Sequence, residues 1–265
     1  MERAPDDGYD QDLVPGLRST VDGARLADEL AFAEARLEEL ASDPPGLYAE
    51  VALARDPEEA AWLAFLIGYL CPLRGADAFA AIAAARVPWN AGELPELDAV
   101  ELGPRSAHTR GRGNATLIAY RAWAERAGSQ RAALAGDADW EPERRFARTF
   151  ERLALPGFGR GPRFELLVSL GVLGVVPLVA GTLAVGGDAT DTVVGAAKRI
   201  LGIGDAINLE RRATEVARET GVPIAALDLA LFNWSVAEED RATMGARRAA
   251  DPKRRAAIAA ALGVA

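Results

Sequence analysis

Apolar residues recur along this chain with the three-to-four-residue spacing of amphipathic helices, whereas the alternation typical of strands is scarce. The clearest case is 26–40 (LADELAFAEARLEEL), where apolar residues occupy one face and acids the other. Asp56 and Pro57 resemble an N-cap and a first helical residue for a helix over 58–70. Further helices are predicted over 76–86, 116–127, 140–155, 193–201, 209–219, 224–234 and 252–262. The predicted fold class is all-α, with 87–113 as a long connection of little regular structure.

Residues 166–187 form an uncharged run of 22 residues, which is long enough to cross a bilayer as a helix. Arg160 and Arg163 precede this run, and Asp188 and Asp191 follow it. Five glycines and Pro177 interrupt it, and both residue types disfavour a continuous helix. We therefore expect a short buried helix, a turn and an apolar loop. A membrane-associated helical protein is the alternative.

Charge is distributed unevenly along the chain, whose net charge is −9. Residues 1–100 contain 7 basic and 20 acidic side chains, whereas 101–265 contain 23 and 19. An acidic first part should weaken nonspecific DNA binding, because phosphate neutralisation supplies most of that affinity. The predicted organisation is a loose tail over 1–20, an acidic helical lobe over 21–135, a second lobe over 136–235 and a basic C-terminal helix over 236–265.

The chain has one cysteine, Cys71, and one histidine, His108. These counts exclude an internal disulfide, an iron–sulfur cluster and an ordinary zinc site, so neither a metal nor another cofactor is expected. The N-terminus has no basic, apolar run of the secretory type, and we expect a cytoplasmic protein with no membrane partner.

A short glycine-rich segment, Leu155-Pro156-Gly157-Phe158-Gly159-Arg160, separates two predicted amphipathic helices. Glycines on either side of one apolar residue permit positive φ and close approach of a ligand to the backbone. The free N–H groups that begin the second helix could hold a phosphate oxygen, with Arg160 adding positive charge. The same residues also suit a glycine-capped turn that only packs. Both interpretations stay open from the residues alone.

A second motif is Asp191-Thr-Val-Val-Gly-Ala-Ala-Lys-Arg-Ile-Leu-Gly202-Ile203, in which Asp191 or Asp188 is the expected N-cap of a helix. The two motifs together resemble those of the helix-hairpin-helix DNA glycosylases. In that superfamily a catalytic aspartate begins a helix in a run like D-T-H-x-x-R-V-x-x-R-L-G-L. Asp191, Thr192, Leu201 and Gly202 fit this run, and Arg199 fits within one position.

The resemblance implies a two-lobed helical glycosylase-like fold that binds DNA, with Asp191 as the catalytic carboxylate at the mouth of a base pocket. Such a carboxylate can stabilise positive charge that develops on the sugar and can orient a nucleophile. The chain departs from the pattern at three points. Gly161 occupies the position of the lyase lysine, Val193 replaces the histidine, and 35 residues separate Pro156 from Asp191. Lyase chemistry through an amine nucleophile is therefore not expected.

Further strings resemble one glycosylase-related set, the α-glutamyl/putrescinyl thymine pyrophosphorylase clades. These strings are Arg126-Ala-Gly-Ser-Gln130, Arg144-Arg-Phe-Ala-Arg-Thr-Phe-Glu-Arg152, Gly202-Ile-Gly-Asp205 and Leu227-Asp-Leu-Ala-Leu-Phe-Asn-Trp234. Members are inferred to hypermodify thymine, replacing a pyrophosphate on the 5-methylene group with an amine. The resemblance implies DNA as partner and a small amine or amino acid as co-substrate.

Several residues have both a functional and a structural interpretation. Lys198 and Arg199, with Arg211 and Arg212, could contact the DNA backbone or lie on solvated helix faces. Gln130 and Trp234 could line a base pocket, and Phe158, Trp123 and Trp140 could stack on an extruded base, or all could be structural. Three functions stay open: an enzyme that modifies or excises a DNA base, a non-catalytic DNA-binding module, and the membrane-associated protein.

Overall fold

Every regular element in the described part of the computed structural model is helical. The structure describes residues 4–111, 114–186 and 190–264, so Asp188 and the first three residues of the expected tail lie outside the described residues. The helices are α1 (Thr20–Ser42), α2 (Leu47–Leu53), α3 (Pro57–Leu70), α4 (Ala80–Ala85), α5 (Ala115–Arg126), α6 (Gln130–Ala135), α7 (Pro142–Arg152), α8 (Arg160–Val172), α9 (Thr192–Leu201), α10 (Ala206–Thr220), α11 (Ile224–Ser235) and α12 (Pro252–Ala261). The all-α prediction is confirmed for these residues.

Local sequence explains where several of these helices begin. The carboxylate of Asp56 accepts a hydrogen bond from the Glu58 N–H at 2.9 Å, with Pro57 as the first helical residue of α3. Asp205 caps α10 in the same manner through the Asn208 N–H at 2.9 Å. α2 and α6 are missing from the sequence prediction, because helices of seven and six residues show too few turns for a periodic pattern.

The chain divides into two compact units whose boundaries differ from the expected lobes. The first unit contains residues 1–38, 181–241 and 247–265, and the second contains 39–180 and 242–246. The division predicted at 135 falls inside the second unit, and most of the predicted C-terminal segment 236–265 belongs to the first unit. The end of the chain returns to α1. Arg254 on α12 forms a bidentate pair with Glu34 on α1, at 2.6 and 2.9 Å, and also donates to the Thr220 carbonyl oxygen at 2.8 Å.

Three acids of α1, including Glu34, are paired with arginines from the end of the chain. Glu29, 6% exposed, accepts from Arg241 at 2.7 Å and from the Asn233 amide at 3.2 Å. Asp28 pairs with Arg255. The acidic character of the first hundred residues is therefore partly neutralised inside the first unit by side chains more than two hundred positions away.

Residues 4–19, called here the N-terminal strap, pack on the first unit and are not a loose tail. Leu13, Val14 and Leu17 are buried. The Gly16 N–H donates to the Ile200 carbonyl oxygen at 2.9 Å, and Arg212 donates to the Asp12 carbonyl oxygen at 3.1 Å. The prediction of a loose tail rested on the polar composition of these residues. The few apolar residues of the strap are enough to attach it, because they are buried against the first unit and the end of α9 supplies a backbone acceptor.

The second unit is organised around α3, in which every residue from Ala60 to Leu70 is buried. Phe65 of α3 stacks on Tyr120 of α5 with ring centroids 3.8 Å apart, and Trp62 packs against Tyr120 at 5.9 Å. α8 packs on the same helix. Burial of rings this large provides much of the apolar stabilisation of a unit this size.

In the described part of the uncharged run, residues 166–186, the end of α8 is followed by irregular backbone. α8 ends at Val172, and Gly174 follows with φ of +72°. The Pro177 carbonyl oxygen accepts from Arg145 at 3.2 Å, and the Val179 N–H donates to the Pro142 carbonyl oxygen at 3.3 Å. Among the described residues, no helix combines the length and apolar character needed to cross a membrane. A short buried helix followed by a turn and a loop is the observed arrangement.

Attachment of the N-terminal strap depends on a residue without a side chain at position 16. A Cβ atom on Gly16 would overlap the carbonyl oxygen of Arg199, which is backbone and cannot rotate away. Gly16→Ala should therefore cost about 2 kcal/mol through forced backbone displacement, and lower Tm by about 4–8 °C for a chain of this length. Gly204→Ala is the control in thermal melting, because a Cβ there meets nothing within 4 Å. Equal melting of both variants would contradict this account.

Candidate functional site

The segment between α7 and α8 forms a tight turn that requires glycine at one position. The Phe158 N–H donates to the Leu155 carbonyl oxygen at 3.0 Å, with Pro156 and Gly157 as the central residues. Gly157 has φ of +74°, as the third residue of a type II turn requires. A Cβ on Gly157 would also lie 2.5 Å from the hydroxyl oxygen of Thr116, which donates to the Pro156 carbonyl oxygen at 2.8 Å. Both backbone conformation and space therefore exclude other residues.

Phe158 attaches this turn to the core of the second unit. Its side chain is 2% exposed, and its ring centroid lies 5.1 Å from that of Phe65 and 6.3 Å from that of Tyr69. A ring in this position cannot act as a wedge between bases without leaving the core. The side chain of Phe158 is thus structural, and the turn presents only its backbone around this residue.

The outer surface of the turn consists of backbone with few side-chain atoms. Pro156, Gly157 and Gly159 are exposed, and Leu155 is half-buried. Within the described residues, the N–H groups of Gly157 and Gly159 donate no hydrogen bond. Gly159 has φ of −64° and ψ of 179°, and a Cβ there would meet nothing within 4 Å. The glycine at 159 is therefore not needed for the fold.

Arg160 does not supply the surface charge that the sequence analysis assigned to it. The residue is 3% exposed, with its guanidinium 5.6 Å from the centroid of the Phe164 ring. This correction follows from its place on the inner side of the first turn of α8.

The exposed cations near the turn lie instead on α7. Residues four positions apart lie on one face of a helix, and three arginines of α7 have this spacing. That set, called here the α7 arginine row, is Arg144, Arg148 and Arg152.

The α7 arginine row is solvent-facing but partly held in place. Arg148 pairs with Glu151 at 3.0 Å, and both side chains are more than half exposed. Arg152 donates to the Ala133 carbonyl oxygen at 3.2 Å and lies 5.2 Å from the Trp140 ring centroid. Arg163 of α8 donates to the Phe150 carbonyl oxygen at 3.0 Å. The sequence analysis named 144–152 only for its resemblance and did not assign its arginines to the surface.

Asp191 caps α9, as the sequence predicts. Its Oδ1 atom accepts from the N–H groups of Val193 at 3.0 Å and Val194 at 3.1 Å, and the residue is half-buried. These bonds satisfy two of the unpaired donors at the helix start and place a negative charge at the positive end of the helix dipole. The capping role accounts for an aspartate at this position whether or not it also has a chemical role.

Lys198 and Arg199 lie near the other end of the same helix and are half-buried. Arg199 is eight positions after Asp191, which corresponds to about 12 Å along a helix axis. The Arg199 guanidinium lies 5.4 Å from the ring centroid of Trp234. Trp234 is 2% exposed and donates from Nε1 to the Asp22 carbonyl oxygen at 3.0 Å. The indole is therefore largely enclosed, although it lines a small cavity together with Asp22 and Arg199. Contact of Trp234 with a base stays a prediction.

Gln130 is enclosed in the second unit and hydrogen-bonded to its neighbours. It is fully buried, and its amide donates to the backbone carbonyl of Glu58 at 2.8 Å. Its carbonyl oxygen accepts from the Tyr120 hydroxyl at 2.8 Å. Burial, and secondarily the charge of Glu58, raise the pKa of Tyr120 well above its ordinary value, so this hydroxyl stays a donor. This burial favours the structural interpretation of Gln130, which the sequence could not select because nothing local shows which helix covers a glutamine.

His108 and Tyr69 form a buried pair in the second unit. The His108 Nδ1 atom lies 2.9 Å from the Tyr69 hydroxyl oxygen. Burial lowers the pKa of His108, with Asp98 opposing and Arg110 reinforcing the shift. Burial likewise raises the pKa of Tyr69. No group of three or more metal-ligating side chains occurs among the described residues.

The predicted site residues belong to different units of the chain. The turn residues 155–160 and Gln130 lie in the second unit, whereas Asp191, Lys198, Arg199 and Trp234 lie in the first. Comparison of the chain with known protein families, with curated proteins and with solved structures finds no match. The functional assignment therefore depends on the local geometry described above and on the resemblance of the two motifs.

Proposed function

We propose that this chain binds DNA through the Pro156–Gly159 turn and the α7 arginine row. The observation that carries this proposal is the exposed turn, in which the N–H groups of Gly157 and Gly159 have no acceptor among the described residues. The buried ring of Phe158 holds the turn in place. Backbone N–H groups at such turns and helix starts bind phosphate oxygens, and they position a protein on DNA without selecting a base sequence.

Local charge supports the proposal although the whole chain is acidic. From position 142 to position 163 the chain contains six arginines and two glutamates. Three of these arginines form the exposed α7 arginine row. Attraction between exposed charges extends only about 8–10 Å at physiological ionic strength, so local charge at the turn matters more than the net charge of −9.

The proposed reaction follows the resemblance to the thymine pyrophosphorylase clades. An amine nitrogen of a co-substrate would form a bond to the 5-methylene carbon of a modified thymine while the bond from that carbon to pyrophosphate oxygen breaks. Pyrophosphate would leave with the bonding electron pair, and the Asp191 carboxylate would accept the proton lost by the amine. Base excision without lyase activity is the alternative reaction at the same carboxylate.

A non-catalytic DNA-binding protein is the second candidate function, and the geometry of Asp191 favours it. Two backbone N–H groups bind its Oδ1 atom, which is the arrangement of an ordinary helix cap. The capping bonds alone would explain why an aspartate occurs at this position. Separate measurements of binding and of base chemistry therefore distinguish the two functions.

The contribution of the turn can be measured at Gly159. Gly159→Val should leave the fold intact, because its backbone angles suit any residue and its Cβ direction is open. The added side chain should block a phosphate from the turn and remove one or two hydrogen bonds, which weakens binding about 5–30-fold. Fluorescence anisotropy with a DNA duplex provides the affinity.

Gly204→Val is the matched control, since a Cβ at Gly204 also meets nothing within 4 Å and the residue lies in the other unit. It should bind DNA as the unmodified chain does. Gly157→Val is a poor probe, because the strain at φ of +74° and the overlap with Thr116 would alter the turn itself. Undiminished affinity in a folded Gly159→Val variant would show that the turn does not contact DNA.

The α7 arginine row should set the salt dependence of binding. Arg144→Ala combined with Arg148→Ala removes two exposed cations that have no buried partner. The slope of log K against log salt should become less steep by about 2 units, with affinity falling similarly for all DNA sequences. Arg218→Ala combined with Lys253→Ala removes the same charge from exposed positions in the other unit and should leave the slope almost unchanged. Equal slopes for both double variants would exclude the α7 arginine row as the contact surface.

Asp191 can be tested with two substitutions that separate its cap from its charge. Asn caps helices as well as Asp does, so Asp191→Asn should retain stability, whereas Asp191→Ala should lose about 1 kcal/mol. If Asp191 is catalytic, both variants should lose base chemistry by about 100-fold or more while binding DNA normally. Mass spectrometry of nucleosides from co-expressed DNA measures the products. Full activity in Asp191→Asn would leave Asp191 as a cap only.

A further inference from the structure

His108 is the only histidine of the chain, and its imidazole ring is enclosed in the second unit. The residue is 6% exposed, with its Nδ1 atom against the hydroxyl group of Tyr69 on α3. Its Nε2 atom is buried and has no hydrogen-bond partner among the described residues. A protonated ring in this place would bury a positive charge together with an N–H donor that has no acceptor, which is unfavourable.

Two hydroxyl groups connect this ring to the glycine turn and determine which nitrogen is free to take up a proton. The Thr116 hydroxyl donates its proton to the Pro156 carbonyl oxygen at 2.8 Å, so toward Tyr69 its oxygen can only accept. Burial raises the pKa of Tyr69, and the neighbouring Thr116 hydroxyl opposes that shift. With the Tyr69 proton directed at Thr116, the Nδ1–H group of His108 donates to Tyr69. The unprotonated nitrogen is then Nε2.

The ring belongs to an irregular segment, residues 103–108, that is attached to the end of α3. The Ala107 N–H donates to the Tyr69 carbonyl oxygen at 2.8 Å, and the Ser106 hydroxyl donates to the same oxygen at 3.1 Å. The Gly103 N–H donates to the Leu70 carbonyl oxygen at 3.1 Å. Segments held by a few such bonds open locally at a much lower free-energy cost than that of global unfolding.

We propose that the 103–108 segment is an acid-sensitive switch, which opens from α3 when the Nε2 atom of His108 takes up a proton. Opening exposes the charged ring to water, which supplies the missing acceptor. Burial lowers the pKa of His108 in the closed arrangement, while the charge of Asp98 opposes this shift and that of Arg110 adds to it. The third titratable group at the ring, Tyr69, stays neutral because burial raises its pKa. The proposal does not depend on DNA binding by the turn.

The direction of the pH dependence follows from the lowered pKa of the closed ring. Below the ordinary histidine pKa of about 6.5, the ring of the open segment binds a proton and the closed ring does not. The equilibrium constant for opening therefore rises as pH falls, by up to about tenfold per pH unit, until the closed ring is also protonated. Well above pH 6.5 both forms are neutral, and opening should not depend on pH.

Hydrogen exchange on the full chain measures this opening directly. The Ala107 amide is the reporter, because its hydrogen bond to Tyr69 must break when the segment leaves α3. Its protection, corrected for the intrinsic exchange rate, should fall at least about fivefold from pH 7.5 to pH 5.5. Amides of α10, which lies in the other unit, provide the internal control and should keep their protection. Equal Ala107 protection at both pH values would overturn the proposal.

Two further measurements assign the effect to His108. His108→Asn retains an N–H donor for the Tyr69 hydroxyl but cannot take up a proton, so protection of Ala107 should be the same at both pH values. A fall in protection that persists in this variant would assign the effect to another group. In the unmodified chain, NMR detects the ring C–H signals of a single histidine. Their titration should accompany the loss of Ala107 protection, whereas a ring that becomes protonated while Ala107 stays protected would contradict the switch.

Discussion

Phe158 packs its ring against Phe65 in the aromatic core of the second unit, and the geometry of the exposed turn depends on that contact. With the ring buried, the residues on either side of it must reverse the chain at the surface. Gly157 then adopts φ of +74° beside Thr116, and α8 begins at Arg160. One apolar contact thus places Gly157 and Gly159 in solvent and Arg160 inside. The same contact that stabilises the unit determines which atoms of the turn can reach a ligand.

Charge pairing in the first unit changes the meaning of the acidic net charge. Glu29, Glu34 and Asp28 of α1 pair with arginines from the end of the chain. These acids therefore contribute less to the surface potential than their number indicates.

Helices and caps were the features most predictable from sequence, because they depend on neighbours within four positions. Asp56 with Pro57, and Asp191 before α9, occupy the capping positions that the sequence predicts. The glycine turn after α7 was also expected. The sequence left the burial of individual side chains open. Gln130, Trp234 and Phe158 are enclosed, and Arg160 is buried, because contacts with residues far along the chain decide which face of an element is covered.

The sequence by itself determined the all-α class, most helix positions and the turn at Gly157, since these follow from periodicity, capping and backbone conformation over a few residues. Tertiary structure alone decided that the polar strap packs on the first unit, that α12 pairs with α1, and which arginines are exposed. The physical reason is that burial and ion pairing join residues such as Glu34 and Arg254, which are 220 positions apart. No local pattern encodes that separation.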